Sequence, residues 1–313
     1  MATRCTKLTE KLSRVFIVVL LVSSCIAFIT GCGVTTGVST PSQGNALISS
    51  QPMQNGEEKL RVSYIDVGQG DSILIQIPNG KNVLIDAGEN DQGDKVVSYI
   101  RSQGVKRLDL TIWTHPHSDH IGGADAVTKA FDIGQIVMPK QTSSTQSFRS
   151  LLTAISQKGL KITEAKAGLK LDLGSEVKAE MLAPNSTQYE EVNDYSAVLR
   201  LTYGQTAFLF TGDAQSESEQ EMMNAGYDLR ADVLKVGHHG SRTSTSAAFL
   251  ARVQPEYAVI SVGNDNDYGH PTVNTLTRLQ KAGVSLYRTD ESGTVVAESD
   301  GKNITFTVGR TSQ

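Results

Sequence analysis

All six histidines of this 313-residue chain fall in three short segments: His115-Pro-His117-Ser-Asp119-His120, His238-His239-Gly240-Ser241 and Gly269-His270-Pro271. A neutral imidazole offers a nitrogen donor and an aspartate an anionic oxygen donor, a combination suited to a divalent ion of the zinc type. Three histidines and one aspartate stand within six residues in the first segment, a density that neither surface composition nor core packing explains. On a turn between a strand and a helix, His115 and His117 point at one ion while Asp119 and His120 point at a second a few ångströms away. The chemistry expected of such a site is hydrolysis assisted by two cations.

The elements around these segments are suited to position them. The apolar run Leu110–Thr114 leads into the first segment, and Gly122-Gly123 with a helical pattern over 123–130 follows it. Asp213 comes after the apolar run 207–210 and the turn Thr211-Gly212, the setting for a carboxylate at a strand end. The ordered domain begins at Leu60 with an alternating strand to Asp66 and a Gly-rich turn, Val67-Gly68-Gln69-Gly70-Asp71. Strands over 72–77 and 82–86 are separated by Pro78-Asn79-Gly80, a hairpin signal, so three antiparallel strands open the fold. Beyond them the patterning predicts helices over 94–103, 123–130, 147–157, 216–224, 246–253 and 273–282. It predicts strands over 108–114, 134–138, 178–183, 196–203, 206–211, 232–236 and 257–262, with closing strands to Val308. Strand blocks in both halves with helices between them define an α/β class with two sheets packed together and covered by helices. No internal repeat is present, which excludes a solenoid.

Several motifs stand in order over about residues 60–300: Asp66-Val-Gly-Gln-Gly-Asp71-Ser, Leu84-Ile-Asp86-Ala-Gly, the histidine signature running into His120-Ile-Gly-Gly, Phe210-Thr-Gly-Asp213, Leu234-Lys235-Val-Gly-His238-His239-Gly-Ser241 and Tyr268-Gly-His270-Pro. In these the chain resembles the metallo-β-lactamase superfamily, and within it the hydrolase domain of the ComEC-type competence proteins and their secreted relatives. The resemblance implies an αββα sandwich of two mixed sheets with a metal cleft along one edge. It implies two divalent ions, zinc in first place with manganese as the alternative, His115 and His117 on the first, Asp119 and His120 on the second, and Asp213 bridging. His239 is then the expected last ligand and His238 faces substrate, with His270 a rival for the ligand position. Asp119 doubles as the group that orients or accepts a proton, and Lys235 and His238 neutralise the substrate. Asp66 and Asp71 approach the cleft on their Gly-rich turn, and Asp86 holds metal-bound imidazoles from behind.

One departure is informative. Lactamases place a further histidine between the signature and the bridging aspartate, whereas this chain has none from 121 to 237 and carries Asn193-Asp194-Tyr195-Ser196 in that stretch. The first metal would then have only three protein ligands or take Asn193 or Asp194 oxygen, a weaker site that also suits manganese, and penicillin-type hydrolysis is disfavoured. The reaction expected is phosphodiester hydrolysis by a water bridging cations about 3.5–4 Å apart. The partners expected are anionic phosphodiesters: DNA, a teichoic-acid-like polymer or a smaller phosphoester. The rivals are lactone, thioester or lactam hydrolysis at the same site, and a non-catalytic lipoprotein that binds DNA or the cell wall.

The first 31 residues have the form of an export signal, with Arg4, Lys7, Lys11 and Arg14 ahead of the apolar run 15–30. Ile29-Thr30-Gly31-Cys32 resembles a bacterial lipobox, so Cys32 is the expected lipidation site; an uncleaved anchor is the alternative. Residues 32–58, rich in Ser, Thr, Gly, Gln and Asn, read as a flexible tether, and 59–313 as the hydrolase domain, extracytoplasmic and held to the membrane by lipid. Loss of the signal removes four of 29 basic residues and one of 33 acidic ones, leaving a net charge of about −7. That balance excludes general electrostatic attraction to nucleic acid, though a local basic groove from Lys235, Arg242, Arg149 and Lys140 remains compatible with it. All three cysteines lie at or before Cys32, so packing alone stabilises the domain.

Overall fold

The computed structural model describes residues 59–309; the expected signal, Cys32 and the tether lie outside the described residues. Among the described residues, eight strands form a first sheet: β1 (Leu60–Tyr64), β2 (Ile73–Gln76), β3 (Asn82–Ile85), β4 (Arg107–Ile112), β5 (Asp132–Met138), β6 (Ile162–Glu164), β14 (Val295–Ser299) and β15 (Ile304–Val308). Seven form a second: β7 (Lys170–Leu171), β8 (Val177–Ala183), β9 (Val198–Tyr203), β10 (Thr206–Phe210), β11 (Val233–Lys235), β12 (Tyr257–Ile260) and β13 (Ser285–Arg288). The helices are α1 (Gly93–Ser102), α2 (Ser118–Ile121), α3 (Ala124–Ala130), α4 (Gln146–Gln157), α5 (Ser216–Asn224), α6 (Ala247–Val253), α7 (Val273–Lys281) and α8 (Thr289–Ser292).

Strict two-residue alternation builds the layers. Ile73, Ile75, Val83 and Ile85 turn into an apolar layer shared with Leu199, Leu201, Phe208, Phe210 and Val233 of the second sheet. Leu74 and Leu84, one residue out of phase, pack outward on Val96 and Ile100 of α1 and Leu151 of α4. Leu209 and Leu234 likewise face Met222 of α5, Phe249 of α6 and Leu279 of α7. Strands apolar on both faces are those of sheets buried on both sides, and three apolar layers between four structural layers make an αββα sandwich. Hydroxyl side chains start three of the covering helices: Thr145, Ser246 and Thr272 accept from Phe148, Phe249 and Thr275 N–H respectively.

The first sheet runs β15-β14-β1-β2-β3-β4-β5-β6 and the second β13-β12-β11-β10-β9-β8-β7. Pairing is parallel from β3 to β6 and from β10 to β13, with helices as crossovers, so the carboxyl ends of these strands gather along one edge of each sheet. Ligand sites of α/β sheets form outside such ends. The structure departs from the patterning in three places. The strand expected from Ser196 begins at Val198, because residues 192–195 coil into a tight turn. The three-residue strand β6 and the two-residue strand β7 carry too few residues to show a period. The closing strands leave the second half of the chain and return to the first sheet, β14 pairing antiparallel with β1.

Candidate metal centre

The first half of the site is set by Asp86, directly after β3. Its φ of 57° is left-handed, a conformation that costs a non-glycine residue about 1–3 kcal/mol and is found at functional sites. Its Oδ1 accepts from Thr114 N–H at 2.8 Å, and its Oδ2 accepts from Thr114 Oγ1 at 2.6 Å and from His120 Nδ1 at 2.7 Å. With its proton committed to Asp86, His120 turns the Nε2 lone pair into the cleft. The Thr114 hydroxyl proton is also committed, so its lone pair faces His115 Nδ1 at 3.2 Å and His115 Nε2 points the same way. Gly123 makes room for this loop: a Cβ there would stand 2.4 Å from Ala87 O.

The second half comes from the other sheet. Asp213 sits in the turn after β10, its N–H donating to Ser196 Oγ at 3.1 Å. His238 and His239 follow β11 with φ of 49° and 53°, and His239 Nδ1 donates to Ser261 O at 2.9 Å, which leaves Nε2 free for the cleft. His239 Nε2 lies 3.1 Å from Asp119 Oδ2 and 3.6 Å from Asp213 Oδ2; His120 Nε2 lies 3.2 Å from Asp213 Oδ1. On the other side His115 Nε2 is 3.8 Å from Asp213 Oδ2 and 3.0 Å from His117 Nδ1. Asp213 thus stands between two donor groups, His115 with His117, and Asp119 with His120 and His239.

This arrangement fits cations better than hydrogen bonds. His120 and His239 face each other with Nε2 atoms 3.3 Å apart, both lone-pair nitrogens by the reasoning above, and the buried Asp213 Oδ1 accepts no hydrogen bond. Burial alone would strip His120 of a proton, yet Asp213, Asp119 and Asp86 push its pKa well above the ordinary value. Burial would likewise raise Asp213, but His120, His239 and His238 hold it well below the usual carboxylate range. The surroundings favour positive charge at the point where nitrogen and oxygen donors converge, as a divalent-metal site requires.

The cleft over these groups has a volume of about 360 Å³ and is lined by His117, Asp119, Asp213, His238 and His239, with His270 at its wall. His270 stacks edge-on to His238, ring centroids 5.4 Å apart, and stands outside the group formed by Asp119, His120, Asp213 and His239, so His239 rather than His270 has the ligand geometry. Asn193 Nδ2 lies against the His238 ring, 3.4 Å from Nε2 and 3.5 Å from Nδ1. Two expectations need correction. Lys235, expected at the substrate, is wholly buried beneath the site, its Nζ 2.8 Å from Asp71 Oδ2. Asp66 accepts from Gly68 N–H in its own turn, and Gln69 is the residue of that turn that lines the cleft. Among the described residues no lysine or arginine lines the cleft. Sequence reasoning passed over Thr114 and Ser196, which contact His115 Nδ1, and the Ser261 carbonyl, which accepts from His239 Nδ1; the patterning counted all three within strands, whereas Thr114 and Ser261 stand just beyond β4 and β12 and Ser196 just ahead of β9.

Residues 65–264 match the model of the metallo-beta-lactamase superfamily. The chain belongs to that superfamily. It is 35% identical over 264 residues to ComE operon protein 3 of Bacillus subtilis (strain 168), covering 79% of this chain and 34% of that protein. It is 34% identical over 248 residues to competence protein ComA of Neisseria gonorrhoeae, covering 79% and 33%. A UPF0173 metal-dependent hydrolase of Roseiflexus sp. (strain RS-1) is 27% identical over 192 residues, covering 59% and 76%. The chain spans about a third of the length of the first two of these relatives.

Proposed function

We propose that this metal-dependent hydrolase of the metallo-beta-lactamase superfamily is a phosphodiesterase or nuclease that acts outside the cytoplasmic membrane. The observation that carries the reading is Asp213 placed between two donor groups at the floor of an open cleft. That is the donor pattern of two-cation sites, which suit a phosphodiester because both its attacking and its leaving oxygen develop charge. The histidine-free stretch 121–237 speaks against lactam hydrolysis, and the competence proteins among the relatives favour DNA over a wall polymer.

Divalent cations held by His115, His117, Asp119, His120, Asp213 and His239 would acidify water and neutralise phosphoryl charge. Asp119, the one carboxylate of the group with appreciable exposure, is placed to orient the attacking water and accept its proton. His238, whose pKa burial lowers and whose ring packs against Asn193, donates a hydrogen bond to a phosphoryl oxygen or the leaving group. His270 walls the cleft on the far side of His238. With Lys235 buried and, among the described residues, no lysine or arginine lining the cleft, neutralising the substrate falls to the cations, zinc or manganese.

The test is turnover of bis-p-nitrophenyl phosphate and an oligonucleotide against nitrocefin and simple esters by zinc- or manganese-loaded protein. Phosphodiester hydrolysis that vanishes in Asp119→Ala and Asp213→Ala is the expected result; near-normal rates in both variants, or turnover of nitrocefin alone, rule the reading out. Location rests on the signal-like N-terminus and its lipobox-like end at Cys32. Detergent partitioning of Cys32→Ala checks it: membrane retention without Cys32 argues against a lipid anchor.

A further inference from the structure

Lys235 ends β11 on the same face as Val233, which packs between the two sheets, while Leu234 packs outward. A lysine on that inner face is fully buried. An ammonium group removed from water persists only with an opposite charge and further acceptors. Lys235 has both: Nζ lies 2.8 Å from Asp71 Oδ2 and donates to Val236 O at 2.9 Å.

Asp71 belongs to the other sheet, in the turn that leads into β2, and its main chain is committed to the first half of the metal centre. Its N–H donates to Asp119 O at 3.1 Å, and its carbonyl accepts from Gly88 N–H at 2.9 Å, two residues beyond Asp86. Gly70 allows the approach, since at its φ of +127° a Cβ would stand 2.2 Å from Asp119 O. The second carboxylate oxygen, buried and accepting no hydrogen bond, lies 3.6 Å from His239 Nδ1. One residue therefore touches the signature loop, the segment after Asp86 and His239, and through Lys235 it is tied to the strand that delivers His238 and His239.

We propose that the buried Lys235–Asp71 pair is a brace between the two sheets that sets the spacing of the two halves of the metal centre, and through it the metal affinity. Apolar layers hold the sheets together without direction, so they do not fix the offset of one sheet along the other. A charge-assisted hydrogen bond is short and directional, and it fixes that offset next to the ligands. Lys235 is thus a positioning residue that touches no substrate, and the proposal stands whatever the substrate is.

The experiment titrates the metal-stripped full chain with zinc against a competing chelator, alongside thermal unfolding in chelator. Asp71→Asn keeps the size and one acceptor for Lys235 but removes its counter-charge, so Tm is expected to fall; the fold is expected to persist with zinc affinity lowered about 10–100-fold, the range for residues that orient ligands. Lys235→Met strands a buried carboxylate and is expected to lower Tm. Combining it with Asp71→Leu removes both charges and is expected to restore Tm but not zinc affinity, whereas a pair serving stability alone would recover both together. Wild-type zinc affinity in Asp71→Asn or in the double variant overturns the brace. If the double variant does not fold, Asp71→Asn decides alone.

Discussion

Asp86 shows how much of the centre rests on a residue that need not bind an ion. Three donors converge on its carboxylate, and the one from His120 fixes which ring nitrogen faces the cleft. Asp86→Asn is the informative change, because asparagine tolerates the left-handed backbone while only one of its two terminal side-chain atoms is an acceptor, so it cannot accept from Thr114 N–H and from His120 Nδ1 together. Zinc affinity and turnover are expected to fall about 10–100-fold, as for other outer partners of metal-bound histidines, with Tm in chelator little changed; elemental analysis with an assay on bis-p-nitrophenyl phosphate checks both. His238 and His239 separate in the same assays. His239→Gln should lose metal, whereas His238→Gln should keep it and lose kcat, and the reverse pattern would exchange their roles.

At the scale of elements, the loops that carry the donors are fastened from outside by the covering helices. Gly123, at the start of α3, would bring a Cβ to 2.4 Å from Ala87 O and 2.7 Å from Gly93 Cα, contacts between backbones that no rotamer relieves. Gly123→Ala is expected to cost about 1–3 kcal/mol by overpacking, read as a lower denaturation midpoint with an unchanged slope. On the second sheet, the buried carboxylate of Glu219 in α5 accepts from the Thr245 and Ser246 N–H groups that lead into α6, just after the His-His-Gly-Ser turn. Burial pushes its pKa above the ordinary 4.5. A raised acid binds its proton more tightly when folded, so its contribution is fully present below 4.5 and is lost as pH rises through the folded pKa. The stability of the wild type relative to Glu219→Gln should therefore decline as pH rises from 4.5 toward neutrality, measured by denaturant titration; a difference that is flat with pH would contradict the raised pKa.

For the whole molecule, the centre lies where two separately built sheets meet, so ligand binding and sheet packing are linked. A divalent ion at 100 times its Kd should stabilise the protein by about 2.7 kcal/mol, a Tm increase of about 5–10 °C for a domain of this size. Calorimetry with and without chelator checks this, and a Tm indifferent to zinc would mean that the metal does not couple the halves. Among the described residues no helix is long and apolar enough to cross a membrane.

What could be read from the residues in order was whatever depends on short range. The apolar runs in 72–77 and 82–86 marked strands, and the runs ending at Thr114, Phe210 and Val236 placed His115–His120, Asp213 and His238-His239 at strand ends. The donor types alone pointed to a metal. Tertiary structure decided the rest. Whether His239 or His270 joins Asp119 and Asp213 depends on the separation of loops from different strands, which no local period encodes. Lys235 shows the limit most clearly: the parity of β11 puts it on the face of Val233, but that this face is the buried one follows only from the second sheet's stacking on the first. Parity is a property of one strand, whereas burial is a property of the layers that close over it.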